Sequence, residues 1–343
     1  MLKRWRKTNR FISNKEFNVL LLKIKSILPK DRKIVFTPDN TGSNWLGVKN
    51  ASISMFPENT VILPQNYSNT LLHKDQINLI NKEIEEAGQI QVVFSGIPYY
   101  SYDWIRVLGN MNVEVSVVFH GGLAELTGNQ ERIDQMRILI DYANSGLIKK
   151  IGVIKDGLDE WFRQKVKASV HKLYPVFIPP KELKYSNKES NQINIGIFGN
   201  SSYNKNRHTQ VAAASLIENS VVHIFEPNEF DYCLPSERIK THSMLNYPEF
   251  LELMGSMDVN IYCSFSESWG QIIFESLYMN TPCLFSNNSG IDQFIGTEFL
   301  IQDYDNPSKI AEKINQCLNS KFIKPDFRSL NNIFIQENSK FIS

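Results

Sequence analysis

Two acids, Glu267 and Glu275, bracket a glycine in the stretch Asp258-Val-Asn-Ile-Tyr-Cys-Ser-Phe-Ser-Glu-Ser-Trp-Gly-Gln-Ile-Ile-Phe-Glu. The apolar run before Ser264 reads as a buried strand, the polar residues after it as a loop, and Gly270 as the opening of a helix. A helix N-terminus offers unpaired backbone N–H groups and the positive end of a dipole, which suits a diphosphate. The N–H groups around Gly270, Gln271 and Ile272 are the candidates, and Gly270 lets an anion come close to the backbone. Carboxylates beside an anion do other work: they accept hydrogen bonds from hydroxyl groups, such as those of a sugar.

A second stretch, Ile195-Gly-Ile-Phe-Gly-Asn-Ser-Ser-Tyr-Asn-Lys-Asn-Arg207, runs from a strand through a glycine-containing loop to a helix. Gly199 and Asn200 open that loop. Lys205 and Arg207 are cations able to neutralise a departing diphosphate. In a third, Val117-Val-Phe-His-Gly-Gly, a buried strand ends in His120, a candidate contact for the reacting sugar; packing accounts for a lone histidine as readily. Two further loops follow strands. Thr37 to Gly47 carries Gly42 and Trp45, and Ser95 to Trp104 carries Tyr99 and Tyr102. Their aromatic rings are candidates for stacking on an acceptor sugar, with core packing as the competing use.

The elements that must hold these residues alternate. Short β-branched runs at 33–36, 61–63, 92–94, 115–119 and 151–154 read as strands buried on both faces. Helical spacing over 75–87 and 131–143, and a helix over 158–170, lie among them. Pro179-Pro180 and the polar residues to Asn191 read as a linker. The alternation restarts with strands at 193–198, 221–225, 259–263, 283–285 and 299–301 and helices at 209–217, 248–254, 270–279 and 308–318. The expected fold class is α/β, two Rossmann-like doubly wound domains facing across a cleft. The expected divisions are 1–178 for acceptor binding, a linker at 179–191, 192–322 for the nucleotide sugar, and a tail at 323–343 packing back on the first domain.

In this context the segment from Asp258 to Gly290 resembles the signature of retaining glycosyltransferases of the GT-B fold, the family 4 type within glycosyl transferases group 1. The order strand, Ser, acid, Trp269-Gly270, helix, second acid, Asn280-Thr281-Pro282, strand matches that family's E-x7-E arrangement. The resemblance implies that Glu267 faces the donor sugar and its reaction centre, and that Glu275 holds the ribose hydroxyls. It implies that the distal phosphate rests on the N–H groups at 270–272. It also makes Glu267, Lys205 and His120 the catalytic candidates. The family carries an Arg directly after the loop glycine; here Asn200 stands in that place. Lys205 and Arg207 flank the family's Lys position, which is Asn206.

Composition excludes several other functions. The 343 residues carry 37 Lys+Arg and 36 Asp+Glu, net +1, without the basic excess of a nucleic-acid binder. The four cysteines form no CxxC pair, which suits reduced thiols. No phosphate-binding P-loop, G-x-S-x-G elbow or H-E-x-x-H motif occurs, so no metal and no resident cofactor are expected, only a nucleotide-diphosphate sugar as co-substrate. No apolar run is long enough to span a bilayer. Residues 1–15 carry Lys3, Arg4, Arg6, Lys7, Arg10 and Lys15 among Leu2, Trp5, Phe11 and Ile12, a pattern for peripheral contact with an anionic membrane or for a solvated terminus. The resemblance completes the expectation. It implies a cytoplasmic enzyme, at the inner face of the plasma membrane, transferring a hexosyl or related sugar to a glycan or lipid-linked acceptor in bacterial surface polysaccharide or glycoconjugate synthesis. A non-catalytic GT-B-like binding or partner subunit and a sugar-nucleotide epimerase are the alternatives.

Overall fold

The computed structural model describes residues 10–39, 46–64, 70–97, 101–111, 113–180, 182–183 and 191–343. The chain divides into two units, residues 1–176 with 333–343 and residues 177–332.

The first unit contains β1 (Arg10–Phe11), α1 (Asn14–Asp31), β2 (Lys33–Pro38), α2 (Leu46–Met55), β3 (Thr60–Leu63), β4 (Thr70–Leu71), α3 (Lys74–Glu86), β5 (Gln91–Ser95), α4 (Ser101–Gly109), β6 (Glu114–Phe119), α5 (Gln130–Ser145), β7 (Lys150–Val153), α6 (Leu158–Lys165) and β8 (Ser169–Lys172). Its sheet runs β3-β2-β5-β6-β7-β8, all parallel. Residues 34–38 of β2 and all of β5 are buried, as both faces of a parallel sheet covered by helices require. The chain turns to β3 on one side of β2 and later to β5 on the other. That makes the β2/β5 boundary the point where strand order reverses, and ligands of such sheets sit outside the carboxyl ends there.

The second unit contains β9 (Ile193–Ile197), α7 (Arg207–Ser215), β10 (Ser220–Phe225), β11 (Ile239–His242), α8 (Tyr247–Gly255), β12 (Val259–Tyr262), α9 (Gln271–Tyr278), β13 (Cys283–Ser286), α10 (Asp292–Ile295), β14 (Leu300–Ile301) and α11 (Pro307–Leu318), with α12 (Phe327–Ser339) after it. The order β11-β10-β9-β12-β13-β14 is again all parallel and reverses between β9 and β12. Those two strands pair only through Val259–Ile195 and Asn260–Gly196. A Cβ at Gly196 would lie 2.0 Å from Asn260 Oδ1, so this contact needs glycine. The loops leaving β9 and β12 carry Lys205 and Glu267.

The sequence expectation and the structure part at several elements. The helix expected over 158–170 stops at Lys165, and residues 169–172 form β8 instead. Asn144 takes the end of the helix. Its Nδ2 donates to the Lys165 carbonyl (3.2 Å) and its Oδ1 accepts from the Lys167 N–H (2.9 Å), so the chain leaves as β-prone Ser169-Val170. Ser101 to Trp104, expected within a loop, open α4. Ahead of the first expected strand lies α1, started by the reciprocal Ser13–Glu16 capping box and held by buried Phe17, Leu20, Ile24, Ile27 and Leu28. Among the described residues no helix is long and apolar enough to cross a membrane.

Candidate functional site

At the strand-order reversal of the second unit, the β9–α7 loop is sewn to the segment after β12. Phe265 N–H donates to the Asn204 carbonyl (2.8 Å). Asn206 Nδ2 donates to the carbonyls of Cys263 (3.0 Å) and Tyr304 (2.7 Å). Gln210 completes the seam: its Nε2 donates to the Lys205 carbonyl (2.6 Å), and its Oε1 accepts from Cys263 N–H (3.1 Å). The seam fixes Lys205 against Glu267. Lys205 Nζ lies 2.5 Å from Glu267 Oε2 and 2.8 Å from the Tyr262 hydroxyl, and Tyr262 in turn donates to Glu267 Oε2 (2.5 Å). The other carboxylate oxygen accepts from Ser268 N–H (3.0 Å).

Burial pushes the Glu267 carboxyl up, but the Lys205 charge and the hydrogen bonds outweigh it and leave the acid below its ordinary range. Burial likewise pulls Lys205 down, and Tyr262 and Glu267 more than restore it. The pair is therefore ionised, and Tyr262, held protonated by burial and by the neighbouring carboxylate, serves as the donor between them.

The helix next to this pair is built differently from others in the chain. Helices α1, α8 and α11 begin on side-chain caps from Ser13, Asn246 and Asn306. Helix α9 begins on Gly270, in the left-handed region at φ 76°, with no side-chain cap and no acid in its first turn. Among the described residues nothing accepts from the N–H groups of Gln271 and Ile272. Ser264 Oγ, Asn288 Oδ1 and Ser289 Oγ, which follow β12 and β13, are buried without a partner. An uncapped helix start of this kind offers its N–H groups to an anion.

Glu275 sits one turn after Gln271 on α9 and is buried. Tyr247, at the start of α8, interacts with both Glu275 and Gln271. Burial raises the Glu275 carboxyl to about 7, against the partial relief of Tyr247. The two acids thus differ at neutral pH: Glu267 is a fixed anion, while Glu275 is divided between its charged and neutral forms.

The structure brings Lys205, Glu267, Gly270, Gln271, Ile272 and Glu275 to one edge of the sheet. Gly199 lies against Lys205, whose Cβ would be 3.2 Å from an added Cβ. Asn200 is taken up in its own loop, its Oδ1 accepting from Ser202 N–H (3.0 Å) and from the Ser202 hydroxyl. Arg207 is not brought to the pair. It is buried, donates to the carbonyls of Phe225 (2.9 Å) and Pro227 (3.2 Å), and lies over the Phe230 ring. Trp269 is buried against Phe274 and Phe294. In the first unit His120 follows β6, buried, with Nε2 2.9 Å from Ser95 Oγ; burial lowers it to about 3, so it is neutral at pH 7. Tyr102 is buried within α4, packed on Tyr142. Gly42, Trp45 and Tyr99 lie outside the described residues.

Tyr262, Tyr247 and Gln210 were not anticipated. Tyr262 ends an apolar strand and Tyr247 opens a helix, so both read as packing residues. The usable signal was chemical: a tyrosine hydroxyl in a buried strand needs a partner.

Residues 181–337 match the family described as Glycosyl transferases group 1. The group 1 region spans nearly all of the second unit, with both acids, Lys205 and the start of α9; His120 lies outside it. Similar solved structures cover most of the chain at low identity. The Anabaena protein Alr3699/HepE, solved with UDP, is 13% identical over 89% of this chain and 95% of its own, with a TM-score of 0.64. A glycosyltransferase from Rickettsia africae is 15% identical over 92% and 95%, at 0.61. WaaG, a glycosyltransferase involved in lipopolysaccharide biosynthesis, is 12% identical over 98% and 94%, at 0.54. No curated protein matches the chain by sequence. The fold, two parallel α/β sheets each flanked by helices, is the GT-B glycosyltransferase fold.

Proposed function

We propose that the protein is a metal-independent, retaining glycosyltransferase that moves a hexosyl or related sugar from a nucleotide diphosphate to a hydroxyl acceptor. The observation that carries this reading is the uncapped start of α9, flanked by two acids in different protonation states and by Lys205. The diphosphate rests on the N–H groups of Gln271 and Ile272. Lys205 leaves Glu267 to meet the phosphate charge, and Glu267 then accepts from donor-sugar hydroxyls. Glu275 accepts from the ribose hydroxyls.

In the transfer the bond from the anomeric carbon to the diphosphate breaks, and a bond to the acceptor oxygen forms on the same face. The hydroxyl proton passes to the departing phosphate oxygen. No protein base and no metal are assigned to the step. The HepE structures with UDP and with UDP-glucose support a nucleotide-sugar donor for this fold. The lipopolysaccharide role of WaaG and the cationic residues 3–15 support a cytoplasmic, membrane-peripheral enzyme of bacterial surface glycan synthesis.

The test is donor turnover. Incubation with UDP-, GDP-, ADP- and CDP-sugars in chelator, with and without sugar acceptors, is expected to release one nucleoside diphosphate. The anomeric proton of the product should keep the donor's configuration. Inversion overturns retention, and a strict need for added divalent metal overturns metal independence. Asn200, standing where the family has Arg, favours a non-catalytic binding subunit as second reading; that protein would bind nucleotide and release none.

A further inference from the structure

An aromatic row crosses three strand-end loops of the second unit. Its outermost member is Tyr203, in the loop between β9 and α7, two residues before Lys205 and 87% exposed. The Tyr203 ring packs on Phe265, which follows β12, with centroids 5.2 Å apart and planes at 34°. Phe265 packs in turn on Tyr304, which follows β14, at 6.2 Å. The backbone under the row is stitched together. Phe265 N–H donates to the Asn204 carbonyl (2.8 Å), Asn204 Nδ2 to the Ser266 carbonyl (3.2 Å), and Asn206 Nδ2 to the Tyr304 carbonyl (2.7 Å). An exposed ring that packing already holds offers a ligand contact area at little cost in conformational entropy.

The place of the row in the fold indicates what it meets. Helices α7 and α11 pack on each other, as do α8 and α9. In a doubly wound sheet such pairs cover opposite faces. Tyr203 precedes α7 and Tyr304 precedes α11, so the row stands on one side of the Lys205–Glu267 pair. Glu275 of α9 and Tyr247 of α8 stand on the other, the side to which the nucleoside runs on the proposed reading. A sugar held at Glu267 therefore has the row on the side away from its nucleoside. Charge narrows the occupant further. In segments 200–207, 264–268 and 302–306 the cations are Lys205, engaged by Glu267, and Arg207, engaged by backbone carbonyls. Asp303 and Asp305 flank Tyr304 in the chain and are exposed. Such surroundings disfavour an anion and leave the ring face for a neutral group.

We propose that Tyr203, backed by Phe265, is a stacking platform for a neutral pyranose ring of a saccharide chain, the ring next to the one that receives the transferred sugar. A pyranose presents C–H groups on its faces and hydroxyls around its edge. An aromatic ring covers the apolar face while the edge stays in water. The acceptor class that follows is an oligosaccharide of at least two sugars, held in part by the second unit. That role rests on the glycosyltransferase reading; the stacking itself does not.

The test is saturation-transfer NMR on the full chain, with the aromatic protons of the protein irradiated. The probes are neutral α- and β-linked disaccharides of glucose, galactose, mannose and N-acetylglucosamine, cellobiose among them, with cellobiouronic acid as the anionic one. At least one neutral disaccharide is expected to take saturation mainly on the C–H protons of one ring, and cellobiouronic acid to bind more weakly than cellobiose. Tyr203→Ala should weaken the neutral probe about fivefold, as loss of one aromatic contact does. Tyr203→Phe and Tyr203→Trp should both hold it, since the ring face and not the hydroxyl makes the contact. Binding in Tyr203→Ala equal to the parent's, or tighter binding of the uronic acid than of cellobiose, overturns the proposal. An equal loss of nucleoside diphosphate affinity in Tyr203→Ala also overturns it, by placing Tyr203 in the donor site. Binding of no neutral disaccharide, in a protein that still releases nucleoside diphosphate from a donor, overturns the platform and leaves the glycosyltransferase reading standing. Tyr203-dependent saccharide binding in a protein that turns over no donor does the reverse: the stacking stands, and its assignment to an acceptor falls with the enzyme.

Discussion

The two strand-order reversals of this chain solve one problem in opposite ways. In the second unit the reactive groups satisfy one another: Lys205, Tyr262 and Glu267 form a closed triangle, and a ligand must open it. In the first unit His120 is held from behind by the buried hydroxyls of Ser95 and Ser52. The closed arrangement suits charge. A buried carboxylate and a buried ammonium each cost several kcal/mol unpaired, so they wait in each other's company until a diphosphate replaces one partner. A neutral imidazole carries no such cost and can wait alone. On the proposed reading the charged site exchanges partners on binding, a change that the neutral histidine does not need.

The largest effect should come from breaking the triangle at its acid. Glu267→Gln keeps the shape and removes the charge; turnover is expected to fall by about 10²–10³-fold, the usual cost of losing one preorganised transition-state contact. The check is nucleoside diphosphate release at saturating donor, with circular dichroism to confirm the fold. Turnover within threefold of the parent would take Glu267 out of the chemistry.

The next largest effect separates the two regions by pH. Glu275 moves from an ordinary 4.5 to about 7 in the fold, so between those values the folded state holds a proton the unfolded chain has lost. Its contribution is complete below about pH 4.5 and turns into a penalty as pH rises through 7. His120 runs the other way. It falls from 6.5 to about 3, so the unfolded chain takes the proton first and stability is lost as pH drops below 6.5. Glu275→Gln should raise the melting temperature relative to the parent, increasingly from pH 5 to pH 8. The gain should approach roughly 3 kcal/mol if the full shift is expressed. His120→Gln should flatten the acid side of the curve instead. Parallel pH profiles for the two variants would contradict the assigned burial.

Smaller effects sharpen the comparison inside the second unit. Tyr262→Phe removes the donor that holds Glu267 once Lys205 turns to phosphate. Turnover should fall about fivefold while nucleoside diphosphate affinity holds, since one hydrogen bond contributes about 1 kcal/mol. Equal losses in both would make Tyr262 a merely structural residue. Tyr247→Phe should push Glu275 higher still, read as a shift of the binding pH profile.

What the sequence disclosed follows from how local each signal is. The β-branched runs specified parallel strands because burial on both faces leaves no other pattern. The start of α9 was legible because glycine, the acids and the strand before it lie within a short stretch. Lys205 was legible as a cation near phosphate, but its preference over Arg207 was not. That choice depends on Gln210 and Asn206 bonding to a segment some 57 residues away, and on the carbonyls of Phe225 and Pro227 that capture Arg207. The hydrogen bonds linking Thr37, Ser52, Ser95 and His120 were equally hidden, since these residues come from separate elements and read singly as ordinary small polar residues. The end of α6 at Lys165 was invisible for the same reason: Asn144, on another helix, sets it.

The most direct test of the account is a titration of nucleoside diphosphates into the amide-labelled protein. The account predicts that the bound nucleotide shifts the amides of Gln271 and Ile272 most strongly, and that Lys205 leaves Glu267 as it binds. Unmoved amides at 271 and 272, with the same nucleotide bound elsewhere, would contradict it.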